Sequence, residues 1–194
     1  MARHKEFDQE AALESALDLF WTKGYERTSI QDLCTELGIH RGSLYDTFGD
    51  KYALFVACLD RFQHNSQEKY YSILTEEGPT KELLERFFGK VIDSSMNNDT
   101  KRRGCFMTNA AMEVAATDPV VSGRVEAYAI HVESLFYQFL LHAQKNGDVK
   151  GKHNLRELAR FLANTKQGLH VMGKTAHDRS VLEDVCKVAL SVIV

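Results

Sequence analysis

The chain has 194 residues, of which 44% are hydrophobic, and a formal net charge of −3, which fits one medium globular domain or a small domain joined to a larger one. We expect neither a signal peptide nor a membrane partner, because the N-terminus is polar and charged and no apolar run reaches about eighteen residues. The four cysteines, Cys34, Cys58, Cys105 and Cys186, show no CxxC spacing, so we expect no zinc site, no disulfide framework and a reducing, cytoplasmic compartment.

The first predicted element is a helix over residues 7 to 24. Its buried face is predicted from Leu13, Ala16, Leu17 and Phe20, which recur at helical spacing. No stretch of the chain alternates apolar and polar residues as a strand does. The fold class that we predict is therefore all-α.

Residues 25 to 51 predict two short helices joined by a glycine turn, followed by the start of a longer helix. Ile30, Leu33, Cys34 and Leu37 form an apolar stripe at positions i, i+3, i+4 and i+7. Gly38 follows this stripe, and glycine there ends a helix in the left-handed conformation. Such a helix-turn-helix, at about residues 29 to 48, is typical of proteins that read DNA.

Capping residues mark the ends of these helices. Thr28 and Gln31 have the spacing of a capping box, so we expect Thr28 to cap the first helix of the motif. The free N–H groups at that helix start suit a phosphate. Asp50 is the predicted N-cap of the next helix, with Lys51 in its first turn.

The second helix of the motif is predicted to turn a polar face outward. Arg41 suits a bidentate contact with a guanine edge, and Ser43 and Thr47 can donate or accept hydrogen bonds. Tyr45 and Lys51 suit phosphate oxygens, which fix register without reading sequence. The alternative is an ordinary helical hairpin with a solvated polar face, but the turn, caps, exposed ring and lysine together favour DNA binding.

The sequences LFWTKGYERTSI and LGIHRGSLYDTFGDKYALF resemble the N-terminal domain of the TetR-type transcriptional regulators. The resemblance is strong over residues 6 to 66 and extends over residues 67 to 194 only in length and helical character. It implies a homodimer, usually a repressor, whose second domain binds a small effector and controls the affinity of the first for a palindromic DNA operator. By resemblance, the DNA-contact positions are Thr28, Ser29, Gln31, Arg41, Gly42, Ser43, Tyr45, Thr47 and Lys51. His40 stands where a small or hydroxyl residue is commoner, and it either contacts DNA or is simply exposed.

Residues 1 to 51 are acidic overall, with six basic against ten acidic side chains. A DNA-binding domain usually has a basic surface. Affinity must therefore come from a few well-placed cations and backbone amides. We expect modest non-specific binding and a moderate salt dependence.

Six further helices are predicted from residue 51 onward. They cover about residues 51 to the seventies, 81–96, 105–116, 118–145, 154–175 and 180–193, which gives about nine helices in all. Asp118 followed by Pro119 marks one helix start, and Ser180 with Glu183 has capping-box spacing at the start of the last. The domain boundary is predicted inside the long fourth helix.

The last two predicted helices have apolar residues on more than one face, among them Phe161, Val171, Val181 and Val188. One face can pack within the subunit and another on a partner. We therefore expect a homodimer through these two helices, which also suits a palindromic operator. The alternative is a monomer in which both helices are buried all round.

Aromatic and methionine side chains of the second domain are candidates for lining an effector pocket. The candidates are Phe62, Phe88, Phe106, Met112, Tyr128, Phe136 and His170. They favour an apolar or aromatic effector, although each also suits a plain core position. His131, His142 and His170 lack metal-ligand spacing, so no metal site is expected.

Cys105 follows Lys101, Arg102, Arg103 and Gly104 at the start of a predicted helix. Cations and a helix N-terminus both favour the thiolate, so a sensor of oxidants or electrophiles at Cys105 is one hypothesis. The alternative is a buried small hydrophobic residue.

Motifs typical of enzymes are missing from the sequence: there is no Gly-rich phosphate loop, nucleophile elbow, HExxH or paired-carboxylate motif. We therefore expect no enzymatic activity and no cofactor. Besides an effector-released repressor, a DNA-binding protein without a small-molecule ligand remains open. The two differ in whether the second domain has a cavity.

Overall fold

The computed structural model describes residues 7–97, 102–149 and 153–193, which form nine α-helices with no strand among them. The helices are α1 (Gln9–Lys23), α2 (Ile30–Leu37), α3 (Arg41–Phe48), α4 (Lys51–Lys69), α5 (Thr80–Met96), α6 (Phe106–Glu113), α7 (Pro119–Lys145), α8 (Leu155–Met172) and α9 (Arg179–Ser191). A 3-10 helix, Tyr71–Thr75, follows α4. The predicted all-α class and number of helices are confirmed.

The helix α1 begins at Asp8, whose side chain caps the first turn. Its predicted buried face is confirmed at Ala16, Leu17 and Phe20, while Leu13 is only half-buried. This face packs mainly against α4. The helix α1 thus packs on α4 and, on another side, on α2.

The predicted helix-turn-helix is present as α2 and α3. Gly38 ends α2 with a φ of +64°, the left-handed conformation that glycine adopts without strain. Leu33 on α2 and Leu44 on α3 are fully buried in the core. Asp50 caps α4 as predicted and accepts a hydrogen bond of 2.7 Å from the N–H of Ala53.

The predicted capping residue of α2 is wrong by one position. Ser29 is the N-cap: its Oγ accepts from the N–H of Asp32 at 3.1 Å, and the Asp32 carboxylate accepts from the N–H of Ser29 at 2.8 Å. Thr28 is fully buried, and its hydroxyl donates to the carbonyl of Gly24 at 2.6 Å. Thr28 therefore closes the preceding turn and leaves the cap to its neighbour.

Two helix starts in the second half test the same kind of prediction. Asp118 caps α7 as predicted, with Pro119 at the first helical position. The predicted cap of α9 by Ser180 is wrong, because Asp178 is the N-cap and accepts from the N–H of Ser180 at 2.9 Å. Asp178 lies two residues before Ser180, so α9 begins earlier in the chain than predicted.

The helix α4 joins the two halves of the molecule. Leu54, Phe55, Leu59 and Phe62 are buried, and a single hydrophobic cluster runs from α1 through α4 into α7 and α8. The α-helical part of this segment ends at Lys69, short of the prediction, and the chain continues as the 3-10 helix. The boundary predicted after residue 66 stays a prediction.

The second half is a bundle in which α5, α7, α8 and α9 pack on one another. The ring of Phe87 on α5 meets the rings of Phe88 and Phe136 edge to face, with both centroid distances at 5.2 Å. The short helix α6 lies against α4 and α7. This arrangement places α6 next to the N-terminal helices.

Candidate nucleic-acid interface and inner cavity

The helix α3 turns Leu44 to the core and its opposite face to solvent. The predicted contact residues on that helix and its N-cap are exposed at His40, Arg41, Gly42 and Tyr45 and half-buried at Ser43 and Thr47. An exposed polar face on the second helix of a helix-turn-helix is the surface that enters a major groove. The structure brings these side chains together as the sequence predicts.

Arg41 and Tyr45 are paired on this face. Arg41 Nη2 donates to Tyr45 Oη at 3.1 Å, and its guanidinium lies 5.4 Å from the centre of the ring. The pairing links two side chains that lie one helical turn apart and restrains the guanidinium over the ring. A guanine edge or a phosphate can replace the Tyr45 phenol as the acceptor. The Arg41 side chain is then already partly ordered before DNA binds.

Lys51 lies in the first turn of α4, with its Nζ 4.2 Å from the centre of the Tyr25 ring. A cation–π contact restrains the ammonium without neutralising it. The N-terminal N–H groups of the same helix add partial positive charge nearby. This corner therefore suits a phosphate.

The N-terminus of α2 presents Ser29 and Gln31, which are both exposed. Lys23 Nζ lies 2.5 Å from the Asp32 carboxylate. Hydrogen bonds from Lys23 and then from Ser29 hold the pKa of Asp32 well below its usual range. The ionised capping box thus fixes the start of α2, while Thr28, which is buried, cannot offer its side chain to DNA.

A carboxylate from α6 anchors the turn before the helix-turn-helix. Glu113 accepts hydrogen bonds from the N–H of Tyr25 at 3.1 Å and of Glu26 at 3.0 Å. Gly24 has a φ of +86°, and a Cβ there would lie 2.9 Å from Glu113 Oε1. Glycine is therefore favoured by the positive φ, and a Cβ there would displace the Glu113 carboxylate.

Two side-chain contacts strengthen the same junction. Tyr52 Oη on α4 donates to Asp118 Oδ1 at 2.9 Å. Arg103, just before α6, stacks at 4.3 Å on the Trp21 ring and donates to Asp18 Oδ1 at 2.8 Å. Sequence reasoning misses these contacts because their partners are more than sixty residues apart along the chain.

An inner cavity of about 80 Å³ lies where α1 and α4 meet the second half. We refer to it as the inner cavity throughout. Its lining residues are Trp21, Phe62, Ser66, Lys69, Tyr70, Ser94, Arg103, Gly104, Tyr128, Lys166 and His170. Of the predicted lining, Phe62, Tyr128 and His170 are found there. Two open grooves also exist, one of about 560 Å³ between α5 and α9 and one of about 390 Å³ between α1 and α6.

The other predicted lining residues lie elsewhere. Phe88 lines the α5–α9 groove, Phe106 lines the α1–α6 groove, and Phe136 is fully buried among aromatic rings. The prediction for Met112 is wrong, because its side chain is 84% exposed. Periodicity does not reveal which face of the short helix α6 turns inward.

Lys166 is the member of the inner cavity that sequence reasoning missed. It lies four residues after Leu162 and three before Leu169, on the apolar stripe of α8, and that position is the signal in the sequence. Its side chain is buried and donates to Tyr128 Oη at 3.0 Å. Burial opposes the charge, but the phenol oxygens of Tyr128 and Tyr71 favour it, and the pKa of Lys166 lies above its ordinary value.

His170 is buried one turn further along α8, with its Nδ1 2.9 Å from Ser95 Oγ. Burial, followed by the nearby Lys166 charge, lowers the pKa of His170 well below its usual range, so the ring is neutral. Among the residues that the structure describes, no group of three His, Cys, Asp or Glu side chains could hold a metal ion. Within the same residues, no helix is long and apolar enough to cross a membrane.

Cys105 occupies the N-cap position of α6 and is 2% exposed. The cations expected to flank it point elsewhere: Arg102 donates to the carbonyl of Ala176 at 2.6 Å, and Arg103 pairs with Asp18. Lys101 lies outside the described residues. Lys166, on α8, interacts electrostatically with Cys105.

Known proteins share this arrangement. Residues 12–58 match the family model for bacterial regulatory proteins of the tetR family, and residues 81–189 match the tetracyclin repressor-like C-terminal domain. The chain is 32% identical over 194 residues, the whole of both chains, to YezE, an uncharacterized HTH-type transcriptional regulator of Bacillus subtilis (strain 168). It is 30% identical over 188 residues to the HTH-type transcriptional repressor ComR of Escherichia coli (strain K12), which covers 96% of this chain and 88% of that one. The TetR family transcriptional regulator CifR, with three cysteines substituted and complexed with 26-bp double-strand operator DNA, matches over the whole of both chains with a TM-score of 0.88 and 26% identity.

Proposed function

The chain belongs to the tetR family of bacterial regulatory proteins and is a DNA-binding transcriptional regulator, and on this premise we propose that it is a homodimeric repressor released from its operator by a small effector. The observation that supports this most is the exposed polar face of α3, held by capped helices and facing away from a buried Leu44. Such a protein acts in the cytoplasm, on a palindromic operator. It has no enzymatic role in this proposal.

Each side chain on the interface has a proposed role. Arg41 reads a guanine edge, and Ser43 and Thr47 contact neighbouring base edges. Tyr45 and Lys51 bind phosphates and set the register. The remaining proposed contacts are His40, Gly42, Ser29 and Gln31, of which Gly42 lets the backbone approach the groove.

The proposed dimer uses α8 and α9. Large apolar side chains are exposed along these two helices at Phe161, Val171, Val181, Val185, Val188 and Val192. Exposed apolar residues at helical spacing mark a surface that another protein covers. A second copy of the chain bound there by a two-fold axis would place two α3 helices on one face of the duplex, as a palindromic operator requires.

The proposed release mechanism follows from the junction between the halves. Trp21 on α1 and Arg103 before α6 both line the inner cavity, and Glu113 on α6 anchors the turn before α2. An effector that moves α6 relative to α1 would change the separation of the two α3 helices in the dimer. By linkage, effector and operator then weaken each other by the same factor.

The mass of the protein–DNA complex tests the proposed assembly. The DNA is a duplex enriched by the protein from a random pool, and light scattering gives the mass of the complex. We expect two chains per palindromic duplex at micromolar protein. One chain per duplex, with full affinity for a single half-site, would contradict the proposal.

A second candidate is control by oxidation of Cys105, favoured by its interaction with Lys166 and by Gly104, its neighbour, lining the inner cavity. Attack of the thiolate on hydrogen peroxide forms a sulfenic acid and releases hydroxide, so that sulfur is oxidised and peroxide reduced. Under this hypothesis, mild peroxide weakens operator binding by wild type but not by Cys105→Ser. Equal responses of wild type and Cys105→Ser, with Cys186→Ser as the matched control, would exclude it.

A further inference from the structure

The inner cavity contains a buried cation, Lys166. Lys166 is 2% exposed, its Nζ donates to Tyr128 Oη at 3.0 Å, and it lies 5.5 Å from the centre of the Tyr71 ring. Among the described residues, no Asp or Glu forms an ion pair with it. The group that accepts a hydrogen bond from Lys166 is a phenol, so within the described residues the ammonium has a hydrogen-bond acceptor but no carboxylate beside it.

Two residues of the same cavity carry further buried N–H donors. Trp21 Nε1 and Arg103 Nε are buried, and neither has a hydrogen-bond partner within the described ranges 7–97, 102–149 and 153–193. Both residues line the inner cavity together with Lys166 and Lys69, and both also line the groove between α1 and α6. No carboxylate is among the described residues of the inner cavity. The cavity is therefore rich in donors and positive charge.

We propose that the inner cavity binds a small carboxylate, with Lys166 as its charge partner and Trp21 and Arg103 as donors to its oxygens. This proposal rests on the proposed function, because the carboxylate would be the effector. A charged acceptor forms shorter and stronger hydrogen bonds with such donors than a neutral one. A bound carboxylate would supply both the missing counter-charge and the missing acceptors.

The size of the cavity limits the ligand. Its volume of about 80 Å³ is well below those of the two open grooves, about 560 and 390 Å³, so the ligand must be small. Carboxylates of about two to four carbons are therefore the probes of choice. The rings of Phe62 and Trp21 form an apolar wall for the short alkyl chain.

The position of the cavity connects its occupancy to the DNA-binding helices. Trp21 belongs to α1, and Arg103 bridges to Asp18 of the same helix. A carboxylate that attracts Arg103 toward Lys166 competes with Asp18 for the guanidinium. The contact between α1 and the segment before α6 would then change on binding.

Trp21 is the only tryptophan of the chain, so its fluorescence reports directly on the cavity. The full-length protein is titrated with sodium acetate, propionate and butyrate, and in parallel with acetamide and propionamide, at constant ionic strength. We expect a saturable change with at least one carboxylate and binding at least about tenfold weaker for its amide. Equal responses to acid and amide, or no saturable response to any of the three carboxylates, would overturn the proposal.

Two variants identify the charge partner. Lys166→Met removes the charge at nearly constant volume, and Lys69→Met removes the exposed charge at the edge of the same cavity. We expect Lys166→Met to weaken carboxylate binding by about tenfold or more and Lys69→Met to change it less than threefold. Carboxylate binding by Lys166→Met at wild-type strength contradicts the proposal. If Lys166→Met lacks wild-type helicity by circular dichroism, Lys166→Gln takes its place.

Operator binding without ligand is measured for the same proteins. Normal operator binding by Lys166→Met with lost carboxylate response supports the proposed ligand class. Normal operator binding with no carboxylate response in wild type overturns the ligand class alone. Carboxylate binding in a wild-type protein that binds no DNA would instead contradict the proposed function.

Discussion

Single residues at the DNA interface differ in what they are expected to contribute. Arg41 and Tyr45 lie on the same exposed face and are hydrogen-bonded to each other. Only the arginine can make a bidentate contact with a guanine. Specificity is therefore expected at Arg41, and sequence-independent affinity at Tyr45 and Lys51.

Substitution Arg41→Ala tests this division. We expect a loss of about 1–3 kcal/mol in operator binding and a relaxed preference at one base pair per half-site. Lys51→Ala is the matched control, because loss of a phosphate contact weakens all duplexes alike. Fluorescence anisotropy with single-base variants of the operator measures both. An unchanged base preference in Arg41→Ala would show that another residue reads the groove.

The pKa of Asp32 makes the stability of α2 dependent on pH. Because Lys23 and Ser29 lower this pKa, the ionised carboxylate stabilises the fold above the unfolded value of about 4. That contribution is lost as pH falls below it. We expect the difference in free energy of unfolding between wild type and Asp32→Asn to be largest near neutral pH and to shrink toward pH 3, measured by urea unfolding. A difference that is constant with pH would contradict this.

At the residue scale, helix ends and turns can be predicted from the sequence better than the solvent exposure of single side chains. The helix-turn-helix register, Gly38 and Asp50 follow from local chemistry and are confirmed. The failures at Thr28 and Met112 come from tertiary placement, since one closes a buried turn and the other faces solvent. Spacing alone contains neither fact.

At the scale of helices, α6 adds a second link between the two halves, beside α4. Its last residue, Glu113, accepts two backbone hydrogen bonds from the turn before α2. The sequence predicts α6 as a helix but not its contact, because helical periodicity reveals a buried face without identifying its partner. The same limit hides Lys166, whose burial depends on α7 facing α8.

Substitution Glu113→Ala tests the link. Two N–H groups would lose their charged acceptor, so we expect a loss of about 1–2 kcal/mol in stability and weaker operator binding. Glu126→Ala, at an exposed position on α7, is the control. Thermal unfolding and anisotropy measure the two effects. Unchanged operator affinity in Glu113→Ala would show that α6 does not position the helix-turn-helix.

At the scale of the whole molecule, the proposed dimer depends on the apolar surface of α8 and α9. Val188 is 65% exposed on α9, and a charge there would have to be buried in the proposed dimer. We expect Val188→Glu to be monomeric at micromolar concentration by sedimentation and to lose most of its operator affinity. Val120→Glu places the same charge at an exposed valine at the start of α7 and should remain dimeric. A dimeric Val188→Glu would exclude this face.

The measurement that tests the account most directly is selection of duplexes from a random pool by the purified protein. A dimeric regulator that reads bases through α3 predicts a palindromic motif with half-sites about one helical turn or more apart. Its enrichment should fall only moderately with salt, because few cations contact phosphates. No enriched sequence from a folded, dimeric protein, with or without a small carboxylate present, would contradict the account.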